Sequence, residues 1–162
     1  MELLKSDDDW AVLSDCDVIF WGDYGHQIQE IISREINVGL ITCVTNRIGN
    51  MHGNQLYGNQ ISNDPNIINH YHIYEKNLEN RGIVKELNTF ISGMVMIVNK
   101  FAWDFVGGFS ETKGQVDNRF SSKILQAGFR ILQMEGLYAF HYYRLHKDIK
   151  DHSHLPQTFF NK

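Results

Sequence analysis

The feature that most constrains this chain is a short apolar run, Trp10–Ser14, that ends at two acidic residues one position apart. Such a run is typical of a buried strand, and its end brings the carboxylates of Asp15 and Asp17 to an edge of a sheet. Open α/β sheets bind ligands at strand carboxyl ends, and hard divalent cations prefer carboxylate oxygens. The pattern therefore predicts a strand that delivers metal ligands. A plain turn is the alternative, because Asp favours turn positions.

The composition indicates one globular domain. The chain has 162 residues, of which 43% are hydrophobic and 21% are charged, so it is long enough to bury a core. The formal net charge of −4 gives no excess of basic residues that would indicate nucleic-acid binding. No apolar stretch is as long as a membrane span, and the first residues do not form a signal peptide, so we expect a cytoplasmic protein. Cys16 and Cys43 lie in or beside apolar runs, and we expect two buried free thiols.

Hydrophobic periodicity predicts an alternation of strands and helices. Predicted helices cover residues 24–36, 67–79, 100–105 and 117–127, and predicted strands cover residues 10–14, 18–20, 38–44, 89–98, 129–134 and 137–142. The first strand, helix and strand have a crossover long enough for a parallel pair. Residues 45–66 are rich in Asn and Gly, which predicts a long loop of the kind that often binds ligands. His70 and His72, two apart on a predicted helix, do not share a face, and we expect both to face solvent.

Four segments occur in an order that resembles the second half of the family-2 glycosyltransferases of the GT-A fold. They are an Asp-Cys-Asp motif in residues 7–18, Ser-Gly followed by Val-Gly-Gly-Phe in 91–109, Val-Asp-Asn-Arg-Phe followed by Ala-Gly-Phe-Arg-Ile in 116–131, and a closing strand with a His in 137–144. The resemblance implies an α/β fold with a GT-A-like mixed, mainly parallel sheet flanked by helices, without the N-terminal nucleotide-binding strands. It implies a partial glycosyltransferase domain over residues 1–146 and a polar C-terminal tail over residues 147–162.

The same resemblance implies a reaction and the residues that carry it. The reaction moves a sugar from a nucleotide-diphosphate sugar to a hydroxyl of a glycan or another acceptor, with inversion, and depends on Mn²⁺ or Mg²⁺. The implied metal ligands are Asp17 and His141, and the implied general base is Asp117. The other implied site residues are Asp15 and Arg144 toward the donor, and Ser92, Gly93 and Trp103 toward the acceptor.

Each implied role has a structural alternative. Asp117 is also suited to cap the helix that follows it, and Glu111, six residues upstream, is a second candidate base. A lone strand histidine such as His141 is commonly a structural residue. Trp103 is equally suited to the core, and Arg144 to an exposed surface.

The chain departs from the family pattern in its residues and in its extent. Val116 and Arg119 stand where the family has acidic residues, and Lys123 stands where it has Arg. The family's front half, which supplies the first strands and the nucleotide pocket, has no counterpart. A second hypothesis follows, in which the chain is a truncated or inactive half that binds a sugar or a partner. Self-association or a missing N-terminal half would then cover its exposed strand edge.

Overall fold

The computed structural model describes residues 3–49, 54–110, 115–143 and 145. In this part of the chain the strands are β1 Trp10–Ser14, β2 Val18–Phe20, β3 Val38–Thr45, β4 Val84–Leu87, β5 Val95–Asn99 and β6 Arg130–His141. The α-helices are α1 Tyr24–Ile32, α2 Ile67–Asn77, α3 Lys100–Val106 and α4 Val116–Gln126. Short 3₁₀ turns cover Tyr57–Asn59 and Leu78–Asn80. No helix in these ranges is both long and apolar enough to cross a membrane.

The six strands form a small mixed sheet, and the prediction of a mainly parallel sheet flanked by helices is wrong. The strand order is β1-β5-β3-β6-β2, and β4 also pairs with β6. Only β3 and β6 pair in parallel, whereas β5 runs antiparallel to both β1 and β3, and β2 and β4 run antiparallel to β6. The expected parallel pairing of the first strands fails because β5 lies between β1 and β3.

The linker between β1 and β2 forces this sheet to curl. These strands lie at opposite ends of the strand order, yet only residues 15–17 separate them in the chain. Four extended steps from Ser14 to Val18 reach at most about 14 Å, whereas five flat strands would hold their outer members about 19 Å apart. The two edges must therefore approach each other at this end, and the sheet is nearly closed and barrel-like.

Both faces of the sheet are covered, which explains why its central strands are apolar on both sides. All eight residues of β3 are buried. On one face Ile41 packs in a cluster that contains Ile28 and Ile31 of α1, and on the other face Leu40 packs in a cluster that contains residues of α3 and α4. A strand covered on both faces has a continuous apolar run rather than an alternating one, so the prediction of a buried strand at residues 38–44 is confirmed.

Several predicted element boundaries change in the structure. The two closing strands are one continuous strand, β6, and α1 ends at Ile32 rather than at residue 36. The sequence pattern missed β4, which is half-exposed with the burial order intermediate, exposed, exposed, buried. The apolar run at residues 89–98 becomes a strand only from Val95. The strands at residues 10–14 and 18–20 and the helix that begins at Lys100 are present. The expectation that residues 10–14 are buried is wrong, because the residues of β1 are half-buried or exposed.

An irregularity in β6 fixes how the chain packs around the sheet. Cys43 pairs with Met134, but the next residue of β3, Val44, pairs with Tyr138, so residues 135–137 have no partner on β3. Gly136 lies in this bulge, and a Cβ added there would stand 2.5 Å from both the Cα and the N of Arg81. The backbone after α2 therefore lies directly against the bulge, and only glycine fits at this position.

We expect Gly136→Ala to lower the free energy of unfolding by about 1–3 kcal/mol or more, because two backbones must separate to admit a methyl group. Gly25→Ala is the matched control, since a Cβ at Gly25 in α1 meets no atom within 4 Å. That change should be neutral or stabilising, because alanine favours a helix more than glycine does. Urea denaturation of both variants measures the difference, and equal stabilities would contradict the close packing at the bulge.

Candidate metal centre

The linker between β1 and β2 is fixed at both ends by backbone hydrogen bonds. The N–H of Asp15 donates to the carbonyl of Met94 at 3.0 Å, just before β5. The N–H of Tyr142, just after β6, donates to the carbonyl of Asp17 at 3.0 Å. These bonds extend the β1–β5 and β2–β6 pairings by one residue each. The two carboxylates therefore project from a backbone that is hydrogen-bonded to both edge pairings, at the point where the two edges of the sheet meet.

His141 is the last residue of β6, and its backbone and ring are both held by the loop that follows β3. Its N–H donates to Oδ1 of Asn46 at 2.7 Å, and Nδ2 of Asn46 donates back to its carbonyl at 3.1 Å. The ring atom Nδ1 lies 2.8 Å from the carbonyl of Arg47. A carbonyl only accepts, so Nδ1 carries the proton, and in the neutral ring Nε2 presents a lone pair.

The free ring nitrogen of His141 points at the two linker carboxylates. Nε2 lies 3.3 Å from Oδ1 of Asp17 and 3.7 Å from Oδ2 of Asp15. The His141 side chain is only 3% exposed, and its Nε2 is buried without a hydrogen-bond partner among the described residues. One nitrogen and two carboxylate oxygens, all within 4.8 Å of one another, form a suitable set of ligands for a first-row divalent cation.

The backbone contact behind His141 is also typical of a metal ligand. Ligating histidines usually donate their second ring N–H to a carbonyl or carboxylate, which fixes the tautomer and the ring orientation. The carbonyl of Arg47 has this position. The alternative occupant of Nε2 is a proton, which would make an ion pair of His141 with Asp17. The two alternatives differ in their response to an added cation.

Negative charge accumulates around Asp15. Burial raises the pKa of its carboxyl above the ordinary value, and the charges of Asp17 and Asp117 raise that pKa further, against an opposing effect of His141. A charged Asp15 is therefore disfavoured by its surroundings. A divalent cation between these groups would offset the repulsion.

Asp117 lies in the first turn of α4 and is bound to the segment that precedes β5. Its Oδ2 accepts from the N–H of Gly93 at 2.8 Å, and its Oδ1 accepts from the N–H of Asn118 at 2.9 Å. The N-cap of α4 is Gln115, with φ of 52°, so Asp117 is not the cap. A Cβ on Gly93 would stand 3.0 Å from the Cβ of Asp117, and glycine therefore allows this close approach.

Asp15 and His141 of the candidate metal centre line one cleft of about 710 Å³ together with Asp117, whereas Asp17 is not among its lining residues. Five residues singled out from the sequence line it, namely Asp15, Ser92, Gly93, Asp117 and His141. Aromatic and apolar side chains complete the walls, among them Phe90, Met96 and Phe109. A cleft of this size with a few convergent polar groups is typical of a small-molecule site.

Trp103 does not have the position that the resemblance implies, and Arg144 cannot be placed. Trp103 is not among the residues that line the cleft. It packs against Phe109 and Phe120, with ring centroids 4.7 Å and 5.1 Å away. Arg144, and with it the alternative base Glu111 and the tail over residues 147–162, lie outside the described residues.

Gln55 is a site residue that the sequence did not reveal. It is 1% exposed, its Oε1 accepts from the N–H of Ser92 at 2.6 Å, and its Nε2 donates to Oγ1 of Thr42 at 2.7 Å. It thus connects the wall of the cleft to β3. The expectation of two buried thiols is wrong for Cys16, which is exposed between the two carboxylates, and is confirmed for Cys43.

No protein-family model, curated protein or solved structure matches this chain. The strongest geometric observation is the buried Nε2 of His141 beside two carboxylates.

We expect one Mn²⁺ ion to bind at Asp15, Asp17 and His141, and we expect Asp17→Asn to weaken this binding by at least about tenfold. Loss of a supporting contact alone commonly weakens a metal site by that factor, and Asp17 would be a direct ligand. Asp23→Asn is the control, because Asp23 is a half-exposed carboxylate that contacts Arg81. Electron paramagnetic resonance of free Mn²⁺ measures both affinities. Equal affinities in the two variants would remove Asp17 from the site.

Mn²⁺ affinity should fall as the pH is lowered through the acidic range, because metal ligands bind in their deprotonated forms and protons compete with the ion. The pKa of Asp15 is raised by burial, so its carboxylate takes up a proton, and is lost as a ligand, at a higher pH than an ordinary Asp. The same titration repeated across this range measures the effect. A pH-independent affinity would show that the ion binds elsewhere.

Proposed function

We propose that this chain is a divalent-metal-dependent glycosyltransferase. It would move a sugar from a nucleotide-diphosphate sugar to the hydroxyl of a glycan or another acceptor, with inversion at the anomeric carbon. The observation that carries the proposal is that Asp15 and His141 of the Asp15-Asp17-His141 cluster line the same cleft as a separate carboxylate, Asp117. The order of motifs that resembles the family-2 glycosyltransferases supports it.

The donor side of the cleft would be the cluster at the sheet closure. Asp15, Asp17 and His141 would hold Mn²⁺ or Mg²⁺. When bound, the ion would supply positive charge to the diphosphate of the donor and to the charge that develops as this group leaves. The chain's own contribution is to hold the three ligands on backbone that is fixed by β5 and β6.

Asp117 would act as the general base. The acceptor oxygen forms a bond to the anomeric carbon, the bond from that carbon to the diphosphate oxygen breaks, and the acceptor proton passes to Asp117. Each oxygen of Asp117 accepts one backbone hydrogen bond, and each still has acceptor capacity for a hydroxyl. These hydrogen bonds from Gly93 and Asn118 orient the carboxylate, as a base for a single displacement requires.

The acceptor would lie along the wall formed by Ser92 and Gly93. Gln55 holds the N–H of Ser92 and its carbonyl, so this wall has a fixed backbone. Phe109 lines the same cleft and is 38% exposed, and an aromatic ring of this kind is suited to the apolar face of a sugar. Phe109 would therefore take the acceptor-side role that the resemblance implied for Trp103.

The remaining expectations about partners and location are part of the proposal. The free thiols of Cys16 and Cys43 suit a reducing, cytoplasmic compartment. Self-association, or a separate N-terminal half that completes the nucleotide pocket, stays a prediction from the sequence.

The first test is calorimetry with UDP and GDP, each with and without Mn²⁺. We expect at least one nucleotide to bind only when Mn²⁺ is present, because the ion joins the diphosphate to the cluster. Asp17→Asn should abolish this binding. Binding of both nucleotides that is unaffected by metal and by Asp17→Asn would contradict the proposed donor site.

Asp117→Asn should lower the rate of sugar transfer by about 10²–10⁴-fold, which is the usual contribution of a general base, and should leave metal and nucleotide binding intact. The measurement is release of nucleoside diphosphate from a panel of nucleotide sugars with mixed acceptors. Asp104→Asn is the control, since Asp104 is an exposed residue of α3 that contacts Lys100. Full transfer by Asp117→Asn would exclude Asp117 as the base. Nucleotide binding by the native chain without transfer would instead favour the inactive binding module.

A further inference from the structure

A second, smaller cleft lies at the bulge of β6 and is separate from the metal centre. Its volume is about 250 Å³, which is below the range of pockets for drug-sized ligands and suits one small ring. It shares no lining residue with the larger cleft. Five of its lining residues are amides, namely Asn54, Asn59, Asn77, Asn80 and Gln133.

The bulge builds the floor of this amide cleft. Residues 135–137 have no partner on β3, so Glu135 lies where the sheet is locally interrupted, while Gln133, two residues earlier, is still paired with Thr42 and Lys85. Bulges commonly re-aim side chains next to functional sites. The walls are the end of α2 and the turn after it, the exposed Lys85 of β4, and the loop with Tyr57.

Two of the amides are buried and donate to Glu135, one to its carboxylate and the other to its backbone carbonyl. Gln133 is 3% exposed, and its Nε2 donates to Oε1 of Glu135 at 2.8 Å. Asn77 is also 3% exposed, and its Nδ2 donates to the carbonyl of Glu135 at 2.6 Å. Oε1 of Gln133 is buried and has no hydrogen-bond partner among the described residues. A buried amide oxygen without a partner is costly. This oxygen exposes less than 1 Å² to solvent, so a ligand donor would remove that cost only by turning the Gln133 amide toward the cleft.

The lining favours a neutral ligand that both donates and accepts hydrogen bonds. Each amide offers two donors and one acceptor oxygen, which matches a hydroxyl group that can act in both ways. Among the described lining residues Lys85 is the one cation and Glu135 is the one carboxylate, so their charges cancel. A phosphate would meet a single lysine, and a metal ion would meet a single carboxylate that already accepts from Gln133.

We propose that the amide cleft is a binding site for a single neutral sugar ring. The proposal does not rest on the function of the larger cleft, because the amide cleft has its own lining and its own unsatisfied polar atom. A sugar ring presents several hydroxyl groups at fixed spacing, and the five amides around Glu135 offer the corresponding donors and acceptors. The site would hold a sugar residue beside the molecule's main cleft rather than act on it.

The test is protein-observed NMR with glucose, galactose and N-acetylglucosamine as probes, following the side-chain NH₂ signals of the five amides. We expect saturable shifts of the Asn77 and Gln133 signals with at least one sugar, and no such shifts with inorganic phosphate or cyclohexanol. Gln133→Met keeps the size of the side chain but removes its amide. It should weaken binding by about five- to tenfold, as expected for a lost hydrogen bond.

A second variant keeps the test valid if Gln133→Met does not fold. Asn59 is exposed with φ of 58°, so Asn59→Gly fits the same backbone, and it should also weaken sugar binding. Asp17→Asn, which alters only the metal centre, should leave the shifts unchanged. The proposal is overturned if no sugar produces saturable shifts of these amides, if folded Gln133→Met and Asn59→Gly bind as the native chain does, or if Asp17→Asn abolishes the shifts.

Discussion

The three-residue connection from β1 to β2 is the constraint on which the rest of the molecule depends. It joins the two strands that end the sheet order, so the sheet can only form if those edges meet. The hydrogen bonds of Asp15 to Met94 and of Tyr142 to Asp17 fix that meeting point. Because β5 begins and β6 ends there, the same closure brings Gly93 and His141 beside the linker. The candidate site is thus a consequence of how the sheet closes, and its carboxylates need no separate support.

His141 is held at this closure with one ring nitrogen left without a hydrogen bond, at a cost in free energy that a ligand could remove. Its ring is almost fully buried, and one nitrogen is satisfied by the carbonyl of Arg47 while the other has no partner among the described residues. A buried polar atom left in this state costs about 1–3 kcal/mol. The carboxylates of Asp15 and Asp17 repel each other at the same place. A divalent cation relieves both costs, so its binding would stabilise the closure of the sheet as well as the site.

The sequence predicts the local part of this arrangement well and the long-range part badly. Strands at residues 10–14 and 18–20 follow from alternation and from the acidic stop, and the structure has them at those positions. Sheet order does not follow, because β5 inserts between β1 and β3 through pairings that no local pattern encodes. His70 was expected in solvent but is fully buried, where its ring bonds the hydroxyl of Tyr138. No local sequence pattern links His70 to Tyr138, because the two residues are far apart in the chain. The same is true of Gln55 and Ser92.

The composition of the long loop after β3 agrees with its backbone conformation, which hydrophobic periodicity does not predict. Its richness in Asn and Gly is explained in part by Gly58 and Asn59, which both have φ near +60° (59° and 58°), a conformation that these residues adopt at low cost. That turn directs the side chain of Gln55 toward the large cleft, while Tyr57 and Asn59 line the amide cleft. One short segment therefore contributes to both clefts. Its backbone is joined to β3 by the hydrogen bond from the N–H of Thr45 to the carbonyl of Gln55, so the placement of this segment depends on the same strand as the rest of the sheet.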